Sequence, residues 1–223
     1  MNIKFDDVSY IKNYRQPNQE NYLIRANMLF EEGKSYLVRG DNTKYILGRL
    51  IYNFIEPTFG EIRIGSYILK RWKRLKNKKQ FRQNIAYLPY DYESKFNYKT
   101  VNNIFKEGLY NYNYRINEAD SLVENIIDKT GCYLDYKKEL VANLNSIQKY
   151  KLYLAGLLIT NPKVIILEKI INDDKINDYL EELKNEQKIT IIYIGNYKRT
   201  VDKSYVINNG IVSEVDLWNT LRI

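Results

Sequence analysis

The stretch VRGDNTKYILGRL, Val38 to Leu50, decides how the chain is read. Tyr36, Leu37 and Val38 form an apolar run that ends at Gly40. Lys44 follows, and then Ile46, Leu47, Leu50, Ile51 and Phe54 recur at helical spacing. Strand, glycine, lysine and helix in this order match a phosphate-binding loop, whose backbone N–H groups and lysine face an anion. Yet Gly40 is the loop's one glycine, and Tyr45 stands where a metal-binding hydroxyl belongs. The stretch is either such a loop or a strand–helix turn kept for the fold.

Working outward, Ile3–Ile11 alternates as a strand, and Glu32-Gly33 marks a turn between two more. A helix is expected over Ile46–Ile55, ended by Glu56-Pro57-Thr58-Phe59-Gly60. GEIRIGSYIL pairs two strands around Gly65-Ser66, and Ile85–Leu88 is a short strand stopped by Pro89. Residues from about Thr100 to Leu144 read as mostly helical with a break at Gly131, and Gln148–Ile159 as a further amphipathic helix. Val164–Leu167 and Ile189–Gly195 are continuous apolar runs, as buried parallel strands require. A short helix is expected over Ile176–Leu183, and a hairpin turning at Asn208-Asn209-Gly210.

Composition narrows the chemistry. The 223 residues contain no histidine, so no imidazole serves as general base, metal ligand or phosphate sensor. His-dependent triads and the usual zinc sites are excluded. One cysteine, Cys132, forms no internal disulfide and reads as a small core or surface residue in a reducing compartment. No apolar run is long enough for a membrane span, and the N-terminus lacks a signal peptide's apolar core, so a cytoplasmic location is expected. The net charge of +8 favours acidic partners, and KRWKRLKNKKQFR, Lys70 to Arg82, holds most of the surplus. That run reads as a solvated charged loop or helix, or as a nucleic-acid or lipid-headgroup contact with Trp72 and Phe81 as aromatic partners. Tyr110, Tyr112 and Tyr114, among 22 tyrosines, read as surface or interface.

Beyond these local readings, the whole chain resembles the ATP-binding subunit of an ABC transporter. Glu32-Gly33 precedes the loop strand, and Pro57-Thr58-Phe59-Gly60-Glu61-Ile62 resembles the family's PTSGEI. Tyr87-Leu88-Pro89 with Asp91 resembles YLPQD, and Thr100-Val101 the TV that opens the family's helical lobe. LNSIQKYKLYLAGLLITNPKVIILEK, Leu144 to Lys169, resembles LSGGQKQRLALARALLTNPKVLLLDE, and Asn209-Gly210-Ile211-Val212 resembles NGRIV.

The resemblance implies an α/β P-loop NTPase fold in a single domain over 1–223. It has an N-terminal antiparallel β portion, a parallel-sheet core and an inserted helical lobe over about 100–159. It also implies sites that this sequence departs from. The loop Gly40-Asp41-Asn42-Thr43-Lys44-Tyr45 is two residues short of the family's and lacks its later glycines. Tyr90 falls where the family has a metal-contacting glutamine. The signature keeps Leu144 and Gln148, but Asn145-Ser146-Ile147 replace Ser-Gly-Gly. Glu168-Lys169 replace the acidic pair, and a protonated lysine has no lone pair with which to act as base. Asn196 falls on the switch histidine, and Ile171–Asp178 is shorter than the family's D-loop and following helix. Lys12, within Tyr10–Tyr14, occupies the slot of the adenine-stacking aromatic.

These residues lead to the expectation of a degenerate, non-hydrolysing subunit at the inner face of the cell membrane. ATP and Mg²⁺ binding is expected to be weak or absent, with no catalytic residue in this chain. The implied partners are a membrane permease and a second ABC ATP-binding subunit. A divergent active ATPase using Lys44 and Glu168, and a nucleic-acid-binding module using the basic run, are the alternative readings.

Overall fold

The structure is a computed structural model that describes residues 1–12, 22–92, 99–111, 116–132, 140–171 and 173–215. A four-stranded antiparallel sheet takes the order β2-β1-β4-β5, from β1 (Ile3–Ile11), β2 (Tyr22–Phe30), β4 (Phe59–Ile64) and β5 (Tyr67–Leu69). A six-stranded sheet takes the order β10-β9-β3-β8-β7-β6. Its strands are β3 (Ser35–Gly40), β6 (Ile85–Leu88), β7 (Val164–Leu167), β8 (Thr190–Ile194), β9 (Lys203–Asn208) and β10 (Ile211–Val215). All its pairings are parallel except the β9–β10 hairpin at the edge.

The central strands are apolar throughout because both faces are covered. Leu37, Ile165, Leu167, Ile191 and Tyr193 point into one core, against α5 (Ser146–Leu158), α3 (Val101–Asn111) and α4 (Ile116–Thr130). Their neighbours Tyr36, Val38, Val164, Ile166, Ile192 and Ile194 point into the other, against α1 (Tyr45–Ile51) and the antiparallel sheet. The twofold alternation of a strand thus serves two cores at once.

Helix boundaries are where local reading went astray. α1 stops at Ile51, not at Ile55: Asn53 takes φ +54° and the N–H groups of Phe54 and Ile55 fold back to the Arg49 carbonyl. α6 runs Asp174–Gln187, well beyond Ile176–Leu183, because Asp173 caps it through the Ile176 N–H and Lys188 closes it at φ +55°. Asp173 also pairs with Lys151 of α5 at 2.7 Å. α5 begins two residues earlier than its apolar periodicity, at a capping box. Asn145 Oδ1 accepts the Gln148 N–H, and Gln148 Oε1 accepts the Asn145 N–H. The short segment Val141–Asn143 before it is a 3₁₀ turn, and Cys132 is buried in the lobe's core. Tyr112 and Tyr114 lie outside the described residues, as do Asn13 and Tyr14; Lys12 is exposed.

Candidate functional site

In an open parallel sheet, the carboxyl ends of adjacent strands form the binding edge. Here β3 ends at Gly40, β6 at Leu88 and β7 at Leu167, so the loop Gly40–Tyr45, Tyr90 and Glu168 come together at one edge.

Gly40 makes the turn at φ +121°, and an added Cβ would lie 1.9 Å from the Ile207 carbonyl oxygen of β9. The next N–H, of Asp41, donates to that same carbonyl at 3.1 Å. Asp41 then caps the 3₁₀ turn Asn42–Lys44 that leads into α1. Its Oδ1 accepts the Thr43 N–H at 2.8 Å and the Thr43 hydroxyl, and its Oδ2 accepts the Asn209 N–H at 2.6 Å. Partial burial would raise the Asp41 carboxyl, but these donors, with Lys44 nearby, outweigh it and hold it below the ordinary aspartate value. A carboxylate of the chain itself therefore occupies the Thr43 N–H of the loop and the Asn209 N–H of the β9–β10 turn.

Lys44 is similarly engaged. Its Nζ donates to the Gly40 and Asp41 carbonyls, each at 3.0 Å, and lies 4.3 Å from the centroid of the Tyr45 ring. Burial lowers its pKa, against the opposing pull of Asp41 and Glu168. Tyr45 packs its ring 5.9 Å from that of Tyr90. Burial, with Glu168 and Tyr90 close by, raises the Tyr45 phenol and keeps it neutral.

Glu168 is 4% exposed. Its Oε1 accepts the Tyr87 hydroxyl at 2.6 Å and its Oε2 accepts the Tyr90 N–H at 3.0 Å. Burial pushes its carboxyl above the usual glutamate range, although both donors and the charge of Arg49 pull it back. Gly48 of α1 makes room for this pair, since a Cβ there would come within 2.8 Å of Glu168 Oε1 and of the Tyr87 ring. The carboxylate is thus turned into the protein. Beside it, Lys169 holds its ammonium 5.3 Å from the Tyr92 ring centroid.

The remaining expected positions do not join this group. Asn145 spends its side-chain oxygen on its own helix cap, while Ser146 and Ile147 are exposed at the start of α5. Asn196 is exposed after Gly195. Among the described residues no hydrogen bond links Asn145, Ser146, Ile147 or Asn196 to the loop. Sequence reasoning missed Thr43 as a donor, Tyr87 as the partner of Glu168 and Asn209 as a loop contact. Tyr87 and Asn209 had been read only as landmarks. Phe81, an aromatic contact only in the ligand-binding reading of the basic run, is fully buried, with its ring edge-on to Tyr67.

An ATP–Mg²⁺ group does not fit these residues as they stand. The Thr43 N–H is turned to the Asp41 carboxylate, the Lys44 ammonium is bonded to the Gly40 and Asp41 carbonyls, and the Asp41 charge stands at the loop where a phosphate would approach.

The profile of the ABC transporter family matches residues 23–172. The chain belongs to the ABC transporter family. It is 26% identical over 228 aligned residues to a Mesomycoplasma hyopneumoniae protein named Energy-coupling factor transporter ATP-binding protein EcfA1, spanning 96% of this chain and 80% of that one. Among solved structures, cbiO1 from Clostridium perfringens aligns with a TM-score of 0.75 and 22% identity, over 95% of this chain and 86% of that one. A dimeric ATP-binding cassette bound to ADP and Pi aligns with a TM-score of 0.82 and 17% identity, over 96% of this chain and 98% of that one. ABC cassettes therefore share the two-sheet α/β architecture seen here, with its parallel-strand core. Among the described residues of this ABC chain, no helix is long and apolar enough to cross a membrane.

Proposed function

We propose that this chain fills the place of an ATP-binding subunit in a membrane ABC transporter while its own nucleotide site is silent. Family membership supports the transporter half of this reading, as do a relative named as an energy-coupling factor transporter ATP-binding protein and cbiO1, titled as part of the ABC transporter complex cbiONQ. The silent half rests above all on Asp41, whose carboxylate occupies the Thr43 N–H of the loop and sets a negative charge where a phosphate would approach. Metal, polarised water and terminal-phosphate contacts act together in hydrolysis. Tyr45, Lys169 and Asn196 stand at the positions that would supply them.

In this reading the chain lies on the cytoplasmic side, docks on a membrane permease and pairs with a second ATP-binding subunit that supplies turnover. Docking asks less of local chemistry than catalysis does, so the helical lobe keeps its packed core where the loop has changed.

The test is titration of the full chain with a fluorescent ATP analogue in Mg²⁺, together with a phosphate-release assay. Neither saturable micromolar binding nor release above background is expected. Micromolar affinity, with release abolished by Lys44→Ala, would instead establish a divergent active ATPase.

A further inference from the structure

The segment between β5 and β6 carries the chain's charge. Eight of the 35 lysines and arginines lie between Lys70 and Arg82. The other 27 equal the 27 acidic residues, so the net charge of +8 belongs to this segment. No Asp or Glu occurs from Ile62 to Tyr90. Lys70, Lys73, Arg74, Lys76, Lys78 and Lys79 are all exposed, and among the described residues none forms an ion pair.

Its backbone presents an aromatic tip. The Lys73 N–H donates to the Lys70 carbonyl at 3.1 Å, closing a tight turn in which Trp72 is the third residue, at φ +63°. That position ordinarily takes Gly or Asn, and a bulky side chain there is strained. The indole packs into no core: Trp72 is 84% exposed, with the Arg71 guanidinium 4.8 Å from its ring. Behind the tip the segment is anchored. Phe81 of α2 (Lys78–Gln83) is buried, and Arg82 donates to the Asn53 carbonyl and lies over the Tyr52 and Phe54 rings.

From this geometry we infer that the Lys70–Lys79 segment binds an anionic lipid headgroup surface. The basic side chains meet the phosphates, and the Trp72 indole enters the interfacial layer. A cluster of Lys/Arg with an interfacial indole is what such a surface attracts. Single-stranded nucleic acid is held instead by a groove with several stacking rings. Here the run's second aromatic is buried and Arg71 lies over the ring of the first. The inference stands on the segment alone and is independent of the nucleotide reading.

The experiment uses the full chain carrying Trp218→Phe, which leaves Trp72 as its sole tryptophan. Vesicles of phosphatidylcholine with phosphatidylglycerol should sediment the protein and blue-shift its emission, and added salt should reverse both. Neutral vesicles should do neither. A juxtaposed basic residue is worth about fivefold in affinity at an anionic surface. Lys73→Gln, Arg74→Gln, Lys76→Gln and Lys78→Gln together should therefore weaken binding at least about tenfold, with far-UV circular dichroism unchanged. Trp72→Gly relieves the positive φ, so it should leave thermal stability equal or higher while sedimentation with vesicles falls. A purely structural tryptophan would show the reverse. No vesicle binding, equal binding to neutral vesicles, or full binding by the fourfold variant overturns the inference. Tighter capture by a single-stranded oligonucleotide at the same salt also overturns it and assigns the surface to nucleic acid.

Discussion

The Asp41 carboxylate accepts the backbone N–H of Asn209 at 2.6 Å, tying the loop after β3 to the hairpin turn 168 residues later. The same carboxylate caps Thr43. Asp41→Ala should therefore destabilise the fold by about 1–3 kcal/mol, as loss of a helix cap and two further hydrogen bonds requires. Asp41→Asn should cost less, because an amide oxygen still caps Thr43. Urea unfolding with an unchanged m-value measures both. Nucleotide affinity should rise in Asp41→Asn relative to the wild type, since the negative charge leaves the cradle.

The same residue sets a pH signature. Asp41 lies below its ordinary value of 3.8 in the fold, so its contribution is complete above that pH. It is lost as pH falls from 3.8 through the lower folded value. The stability gap between wild type and Asp41→Asn should be flat from neutral pH to about 5 and should shrink below about 4. A gap that closes above pH 5 would mean that the charge of Asp41 is not what holds the loop.

Glu168 has the opposite sign. Burial raises its pKa above 4.5, so the ionised side chain penalises the fold at neutral pH, and the penalty is relieved as pH falls from the folded value toward 4.5. Glu168→Gln should stabilise the protein at pH 7, with an advantage that narrows toward pH 4.5. Its amide can still serve both the Tyr87 hydroxyl and the Tyr90 N–H. Glu168→Ala cannot, and should be less stable than Glu168→Gln by about 1–3 kcal/mol. Thermal melts across pH compare the three.

Gly40→Ala probes the junction of the loop with β9. With φ +121° and the Ile207 backbone inside contact distance of any Cβ, the substitution should destabilise the protein by at least about 2 kcal/mol in chemical unfolding.

At the level of the complex, the chain should co-purify with a membrane permease and with an intact ATP-binding subunit. Replacing that partner's catalytic acid should lower turnover by about 10²-fold or more, while Lys44→Ala here should change it little. Lys169→Glu alone should create no phosphate release, because Asp41 and Tyr45 remain in place. A soluble monomer beside its co-expressed neighbours would defeat the transporter reading.

The sequence by itself determined the order of the strands and of most helices, the short helix in the basic run excepted, along with the two-sided burial of the parallel core and the residue types at the landmarks of the resemblance. These are properties of contiguous residues: the apolar runs Val164–Leu167 and Ile189–Ile194 announce their burial, and a missing histidine is visible in a count. Helix ends were less legible, because Asn53 at positive φ and the Asp173 cap act through single residues rather than through periodicity. Only the tertiary structure decided what Asp41 and Glu168 do. Asp41 reads locally as a charge in a loop, yet its partner is the amide of Asn209. Glu168 reads as a carboxylate at a strand end, yet Tyr87, 81 residues away, turns it inward. Such bonds depend on which strands lie side by side, and strand order brings together residues whose separation along the chain carries no local signal.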